Sequence, residues 1–144
     1  MIRTILSTIF VGASFCSGIL VALASLLFFW ASPSFLWGFV INYCRFLLYM
    51  GDFFCGLKVV SEGRENLPDT ASVIMIKHTS ALETYGHVPF FPRTSWVLKR
   101  DLLWIPVFGW ALALVFRPIA INRNSGARAL RRVIRQGKEK LAVG

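Results

Sequence analysis

The chain has 144 residues, about the size of one domain, and its mean hydropathy of +0.60 is too high for an ordinary soluble domain. Its net charge of +9 is uneven, because residues 92–144 carry eleven basic and two acidic side chains while residues 1–91 carry five of each. Next to a membrane segment, such a basic region favours anionic lipid or a phosphorylated lipid as partner. The aromatic residues lie mostly in apolar runs, which argues against nucleic acid.

Residues 4–30 contain no charged side chain over 27 positions, which is longer than the ~20 residues that a helix needs to cross a bilayer. The sequence therefore predicts a membrane helix. A cleaved signal peptide is the alternative, since Arg3 supplies a positive start, but the apolar run far exceeds the usual signal core. Three cysteines without metal-type spacing fit a reducing, cytoplasmic environment (Cys16, Cys44 and Cys55).

A second apolar stretch at residues 35–50 is interrupted by Asn42 and Arg45. Pro33 and the neighbouring serines predict a turn before it, so residues 1–50 are expected to form a membrane-embedded helical hairpin. The basic residues of the remaining chain place both ends of this hairpin on the cytoplasmic side. A single span followed by a partly embedded helix is the alternative.

From residue 57 onward, short β-rich runs alternate with helical patterns, which predicts an α/β fold with a mostly parallel sheet. The predicted strands are 57–62, 72–78, 95–99 and 118–122, and the predicted helices are 80–87, 101–116 and 126–143.

The segment KHTSALET (77–84) follows an apolar strand pattern and contains His78 and Glu83. A histidine at the carboxyl end of a strand is well placed to take a proton from a substrate hydroxyl, and a carboxylate on its other ring nitrogen would orient it. The same residues match a capping box, in which Ser80 caps a helix and Glu83 reaches back to an amide. A metal site that adds His87 is a third interpretation, without a further histidine or cysteine to support it.

Three blocks in this order, SVIMIKHTSALET, WVLKRDLLWIPVFGWALAL and RPIAINR, resemble the glycerolipid acyltransferases, specifically the bacterial-type 1-acylglycerol-3-phosphate acyltransferases. The resemblance covers about residues 55–144. It implies that His78 is the base acting on the free hydroxyl of lysophosphatidate, with Glu83 in the place where the family usually has Asp. It also implies phosphate-binding roles for Lys99, Arg100 and Arg123, whose cationic groups suit a phosphomonoester.

The sequence departs from the family in having Asn122 where an acid commonly precedes the arginine of the second motif. The third motif, Phe-Pro-Glu-Gly-Thr-Arg, and a later proline-containing motif are absent from these 144 residues. We therefore expect an N-terminal part of such an enzyme, with a membrane region at 1–50 and a partial acyltransferase domain at 51–144.

The resemblance implies transfer of an acyl group from acyl-CoA or acyl-carrier protein to lysophosphatidate, giving phosphatidate, at the cytoplasmic face of the inner membrane. No cofactor and no metal is expected. The alternative is a membrane-anchored basic module without catalysis, which binds anionic lipid or a protein partner.

Overall fold

The structure is a computed structural model that describes residues 2–143, except for the side chain of Arg123. It contains five α-helices and two short strands within that range. In chain order these are α1 (Ile2–Leu27), α2 (Pro33–Cys55), α3 (Leu82–Gly86), β1 (Val97–Lys99), α4 (Phe108–Phe116), β2 (Ile119–Ile121) and α5 (Ala127–Val143). Four short segments of 3-10 helix lie between them, at Arg64–Asn66, Val88–Phe90, Arg100–Trp104 and Arg123–Ser125. This mostly helical chain with a small parallel sheet is consistent with an incomplete α/β domain, as the sequence predicts.

Helices α1 and α2 form a hairpin whose turn and ends follow from local sequence. Pro33 is the first residue of α2, where a missing amide hydrogen costs nothing, and the Ser32 hydroxyl accepts a hydrogen bond from the amide of Phe35 at 3.2 Å. At the other end Gly56 adopts a left-handed conformation with φ of 67° and donates its amide to the Asp52 carbonyl. Both boundaries of α2 are therefore set by capping residues.

A polar contact joins the two helices of the hairpin within an otherwise apolar interface. The Tyr43 hydroxyl lies 2.9 Å from the Ser17 hydroxyl and donates to the Ser14 carbonyl at 3.0 Å. Because few other polar groups are near, this contact fixes how α1 and α2 are rotated against each other.

Helix α1 is the one helix among residues 2–143 that is long and apolar enough to cross a membrane. Its 26 residues are about 39 Å long at 1.5 Å per residue, which exceeds the hydrocarbon thickness of a bilayer. Most of its large apolar side chains are exposed, as expected for a helix in contact with lipid. Helix α2 carries Arg45 and Asp52 and does not meet the same criteria.

The core lies between the N-terminal half of α2 and helix α4. Trp37 packs edge-on against Phe116 at a centroid distance of 5.4 Å, and Trp96 stacks on Phe116 at 4.1 Å. Leu36 and Val115 are also fully enclosed there. Helix α4 in addition contacts α1, so the predicted membrane region and the β-containing region share one packed interior.

Strands β1 and β2 pair in parallel, with Val97 opposite Ile119 and Lys99 opposite Ile121. They lie within the predicted strands 95–99 and 118–122, and α4 is the connection between them, as in a βαβ unit. The long apolar run 101–116 is not one helix, because a 3-10 turn at its start is separated from α4 by a bend at Ile105–Val107.

The predicted strands at 57–62 and 72–78 were wrong, since neither segment forms a strand in the structure. Both segments have the apolar composition of buried strands, yet residues 72–78 are exposed throughout, and Met75 is 94% exposed. A strand exists only when a neighbour completes its ladder of backbone hydrogen bonds, and none of the described residues supplies that ladder here.

Candidate functional site

The candidate site is the turn that leads into helix α3, where the structure brings His78 and Glu83 together. The Nδ1 atom of His78 lies 2.7 Å from Oε2 of Glu83. Residues 79–81 form the bend between them, and α3 begins at Leu82. This bend places two side chains that are five residues apart within hydrogen-bonding distance.

Glu83 is held by four further hydrogen bonds from the same turn. Its Oε2 atom accepts the backbone amides of Thr79 at 2.6 Å and Ser80 at 2.9 Å. Its Oε1 atom accepts the hydroxyl of Thr79 at 2.8 Å and that of Ser80 at 3.3 Å. Both carboxylate oxygens are therefore saturated, and the orientation of the carboxylate toward His78 is fixed by backbone.

This geometry contains only half of the capping box that the sequence matches. Glu83 reaches back to amides before the helix, as in a capping box, but the Ser80 hydroxyl donates to Glu83 and does not cap a helix amide. The residue that precedes α3 is Ala81, which makes no side-chain cap. Glu83 therefore combines a capping contact with a contact to the imidazole.

These hydrogen bonds lower the pKa of Glu83 to about 2, chiefly through the amide of Ser80 and then through His78. An ionised carboxylate only accepts hydrogen bonds, so the ring nitrogen that faces it, Nδ1 of His78, carries the proton. In the neutral imidazole the lone pair is then on Nε2. The His78 side chain is 68% exposed, so a substrate can approach this nitrogen directly.

A shallow cleft of about 360 Å³ opens beside Glu83, and His78 does not line it. Its lining is mostly apolar, including Ile76, Leu82, Phe90 and Phe91. His87 also lines it, and its Nδ1 atom is hydrogen-bonded to the carbonyl of Glu83. Such a cleft can accept an aliphatic chain next to the carboxylate.

The three predicted phosphate-binding residues share one edge of the sheet. Lys99 ends β1, Arg100 follows it, and the register Lys99 opposite Ile121 puts the backbone of Arg123 at the same carboxyl edge. The side chain of Arg123 lies outside the described part of the chain. Parallel strands commonly present functional groups at this edge.

An acidic neighbour that the sequence reasoning missed lies beside Lys99. The Nζ atom of Lys99 is 2.7 Å from Oδ2 of Asp101, and both side chains are largely exposed. The signal was available, since the letters KRD place an acid two residues after the lysine. Similarly, the donors Thr79 and Ser80 could have been found from the S-x-x-E pattern, which already implies amides near Glu83.

The third interpretation, a metal site, has no support in the geometry. Among residues 2–143 there is no group of three His, Cys, Asp or Glu side chains arranged to hold a metal ion.

Comparison with known proteins confirms the resemblance that the motifs indicate. A 1-acyl-sn-glycerol-3-phosphate acyltransferase from Pseudomonas aeruginosa is 44% identical over 105 residues, which is 73% of this chain and 40% of the relative. The matched part of the chain thus spans about two fifths of the length of that relative. No family model matches the sequence, and no solved structure matches it.

Proposed function

We propose that this chain, a partial homologue of the 1-acyl-sn-glycerol-3-phosphate acyltransferases, supplies the catalytic base for acyl transfer to lysophosphatidate. The observation that carries the proposal is the exposed His78 imidazole, whose Nδ1 faces the saturated carboxylate of Glu83 at 2.7 Å. This arrangement leaves the other ring nitrogen, Nε2, pointing away from the Glu83 carboxylate. It matches the His–carboxylate half of the arrangements that activate hydroxyl groups in acyl-transfer enzymes.

In the proposed reaction, Nε2 of His78 removes the proton from the free hydroxyl of lysophosphatidate while that oxygen attacks the carbonyl carbon of the acyl thioester. The ester C–O bond forms, the C–S bond breaks, and the proton passes from His78 to the departing thiolate. Glu83 stabilises the imidazolium that exists between these two proton transfers. The products are phosphatidate and a free thiol, from coenzyme A or from acyl-carrier protein, and the reaction needs no cofactor or metal.

The substrate phosphate is proposed to bind Lys99, Arg100 and Arg123. The support is their common position at the carboxyl edge of β1 and β2. Lys99 is a point charge for a phosphate oxygen, and an arginine can bind two oxygens at once. A dianionic phosphate would compete with Asp101 for Lys99, so phosphate binding requires the exposed Lys99–Asp101 pair to open.

The reaction is proposed to take place at the cytoplasmic face of the inner membrane. Helix α1 supports membrane association by its length and apolar composition. In this proposal residues 1–50 form the membrane-embedded part, and residues 51–144 form the partial acyltransferase domain. Substrate lipid would then reach the site without leaving the bilayer surface.

The decisive experiment measures release of free thiol from acyl-CoA in membranes that contain this chain and lysophosphatidate. We expect His78→Ala to lower the rate by about 10² to 10⁴-fold, the usual contribution of a general base. Because the His78 side chain is exposed, the variant should keep its helical content and its membrane association. Glu139→Gln is the control, since Glu139 is exposed on helix α5 and does not line the cleft beside Glu83.

Two results would overturn this proposal. One is thiol release that continues unchanged in His78→Ala, and the other is an absence of lysophosphatidate-dependent thiol release above that of control membranes. Either result would leave this chain without the base that we assign.

The second candidate function, a lipid-binding module without catalysis, is favoured by helix α5. Its apolar residues Leu130 and Ile134 are exposed, and Arg131 and Lys138 lie beside them on the helix surface. This candidate predicts salt-sensitive binding to anionic vesicles and no consumption of acyl thioester.

A further inference from the structure

The segment 102–110, which we call the tryptophan corner, exposes an unusual concentration of large apolar side chains. Trp104 is 72% exposed and Trp110 is 55% exposed. Three more apolar side chains of the corner are exposed beside them, those of Leu102, Ile105 and Phe108. Single exposed apolar residues need no explanation, but a contiguous group of this size marks a surface that meets something other than water.

The corner is built rigidly by its backbone. Val107 has φ of 64° and ψ of −62°, a strained turn that L-residues rarely adopt, and the amide of Phe108 closes it on the carbonyl of Pro106 at 2.7 Å. Gly109 packs so closely that a β-carbon there would lie 2.4 Å from the carbonyl oxygen of Leu102. The exposed side chains are therefore presented by a fixed scaffold and are not the result of a loose loop.

The corner is continuous with the part of the molecule that meets lipid. Its last residues begin helix α4, and α4 contacts α1, the helix long and apolar enough to cross a bilayer. The exposed surface of α1 is itself apolar, as shown by Phe15 and Leu20. Lipid that covers α1 would therefore also be next to α4 and to the corner at its start.

The residue types at the corner identify the depth at which it would meet lipid. Tryptophan is enriched at the boundary between hydrocarbon and headgroups, where its ring is buried and its N–H remains hydrated. Lys99 and Arg100 lie three and two residues before the corner, and Lys99 is exposed, although it pairs with Asp101. Cations next to interfacial tryptophans fit the phosphates of lipid headgroups.

We propose that the tryptophan corner inserts into the interfacial layer of a lipid bilayer, with Trp104 and Trp110 at headgroup depth. It is a membrane contact in addition to helix α1. It holds the end of β1 at the level of the lipid phosphates. This inference goes beyond the acyl transfer proposed above and does not depend on it.

The test uses the tryptophan fluorescence of the whole chain in lipid bilayers made with brominated phospholipid, which quenches only tryptophans in contact with lipid. The chain has five tryptophans, of which Trp37 and Trp96 pack in the core. We expect the double variant Trp104→Phe, Trp110→Phe to lose at least half of the quenching. Phenylalanine keeps the apolar surface, so the fold and insertion of α1 are retained.

Two controls sharpen the result. Trp96→Phe removes a tryptophan that stacks on Phe116 inside the protein, and it should leave the quenched signal unchanged. Bromine near the carbonyl end of the acyl chain should quench the corner more strongly than bromine near the methyl end, because an interfacial ring lies at shallow depth.

Equal bromolipid quenching of the parent chain and the double variant would overturn the proposal. The corner would then be either exposed to water or covered by protein. Quenching by aqueous acrylamide separates those two cases, because only a corner in water is accessible to it. The measurement needs no turnover, so its outcome is independent of whether His78 acts as a base.

Discussion

The turn at 78–83 and the tryptophan corner at 102–110 are both sharp bends that lead into a helix, but they are held by opposite means. The first is exposed and polar, and one carboxylate accepts five hydrogen bonds within it. The second is apolar, and a strained Val107 and a tightly packed Gly109 define it. The polar bend thus depends on a side-chain acceptor for its amides, whereas the apolar bend depends on the absence of a single methyl group.

Gly109→Ala should produce the largest change in stability. The added β-carbon would lie 2.4 Å from one backbone oxygen and 2.6 Å from Leu103 backbone atoms, and backbone cannot move aside cheaply. We expect the free energy of unfolding to fall by about 3 kcal/mol, as for severe overpacking. Denaturant unfolding in lipid micelles, followed by circular dichroism, measures this.

Gly137→Ala is the matched control for that substitution. Gly137 is inside helix α5, and nothing lies within 4 Å of its hypothetical β-carbon. Alanine should raise the stability there by up to about 1 kcal/mol, because it is the better helix former. Equal effects of the two substitutions would show that the corner is not close-packed.

Glu83→Gln tests whether charge holds the polar bend or activates the histidine. A glutamine carbonyl can still accept the amides of Thr79 and Ser80, so the bend should survive. The imidazolium loses its counter-charge, and we expect the acyl-transfer rate to fall by about 10²-fold.

The reference for this variant is Glu139→Gln, which removes the same charge from the exposed surface of helix α5 and should leave the rate unaltered. Near-normal turnover in Glu83→Gln would assign Glu83 to the capping role alone.

Val107 offers a comparison of two replacements at the strained position of the corner. Alanine retains the steric conflict at φ of 64°, whereas glycine removes it. Both replacements remove the same apolar side chain apart from one methyl group. We therefore expect the free energy of unfolding of Val107→Gly to be about 1 kcal/mol higher than that of Val107→Ala. Denaturant titration of the two variants measures this difference. A more stable alanine variant would show that the bend is unstrained.

The pH dependence of the polar bend follows from Glu83. Its pKa is lowered from the ordinary 4.5 to about 2, so folding releases this proton and the ionised form is the one that the bend stabilises. The contribution of Glu83 to stability is therefore complete above pH 4.5 and is lost as the pH falls toward 2. Carboxyl carbon NMR of the labelled side chain should show a single titration far below that of glutamate in an unfolded peptide.

The two bends also differ in how far the sequence predicted them. The contact between His78 and Glu83 could be anticipated, because a strand-like run followed by S-x-x-E places the acid near the start of a helix. The break within 101–116 could be anticipated only in part. Pro106 indicates an irregularity, but the close approach of Gly109 to Leu102 is a tertiary contact that no local pattern encodes.

The predicted strands also show that a local sequence pattern does not determine tertiary contacts. Residues 95–99 and 118–122 were predicted as strands and include the paired β1 and β2, since each is the other's neighbour. Residues 57–62 and 72–78 have an equally strong β pattern and are not strands. Strand propensity measures how well side chains fit a half-buried pleated surface, so it cannot establish that a partner is present.

The crowding of donors on one oxygen of Glu83 has a consequence for side-chain length. Related enzymes with His and Asp at the same spacing have an acid that is shorter by one carbon–carbon bond, about 1.5 Å. Oε2 of Glu83 contacts two backbone amides and an imidazole at the same time. With the present loop conformation, the shorter side chain of Asp at position 83 would reach either the amides or the imidazole, but not both. The length of the acidic side chain and the conformation of the preceding loop are therefore coupled. Replacing glutamate with aspartate at position 83 would require a different loop conformation.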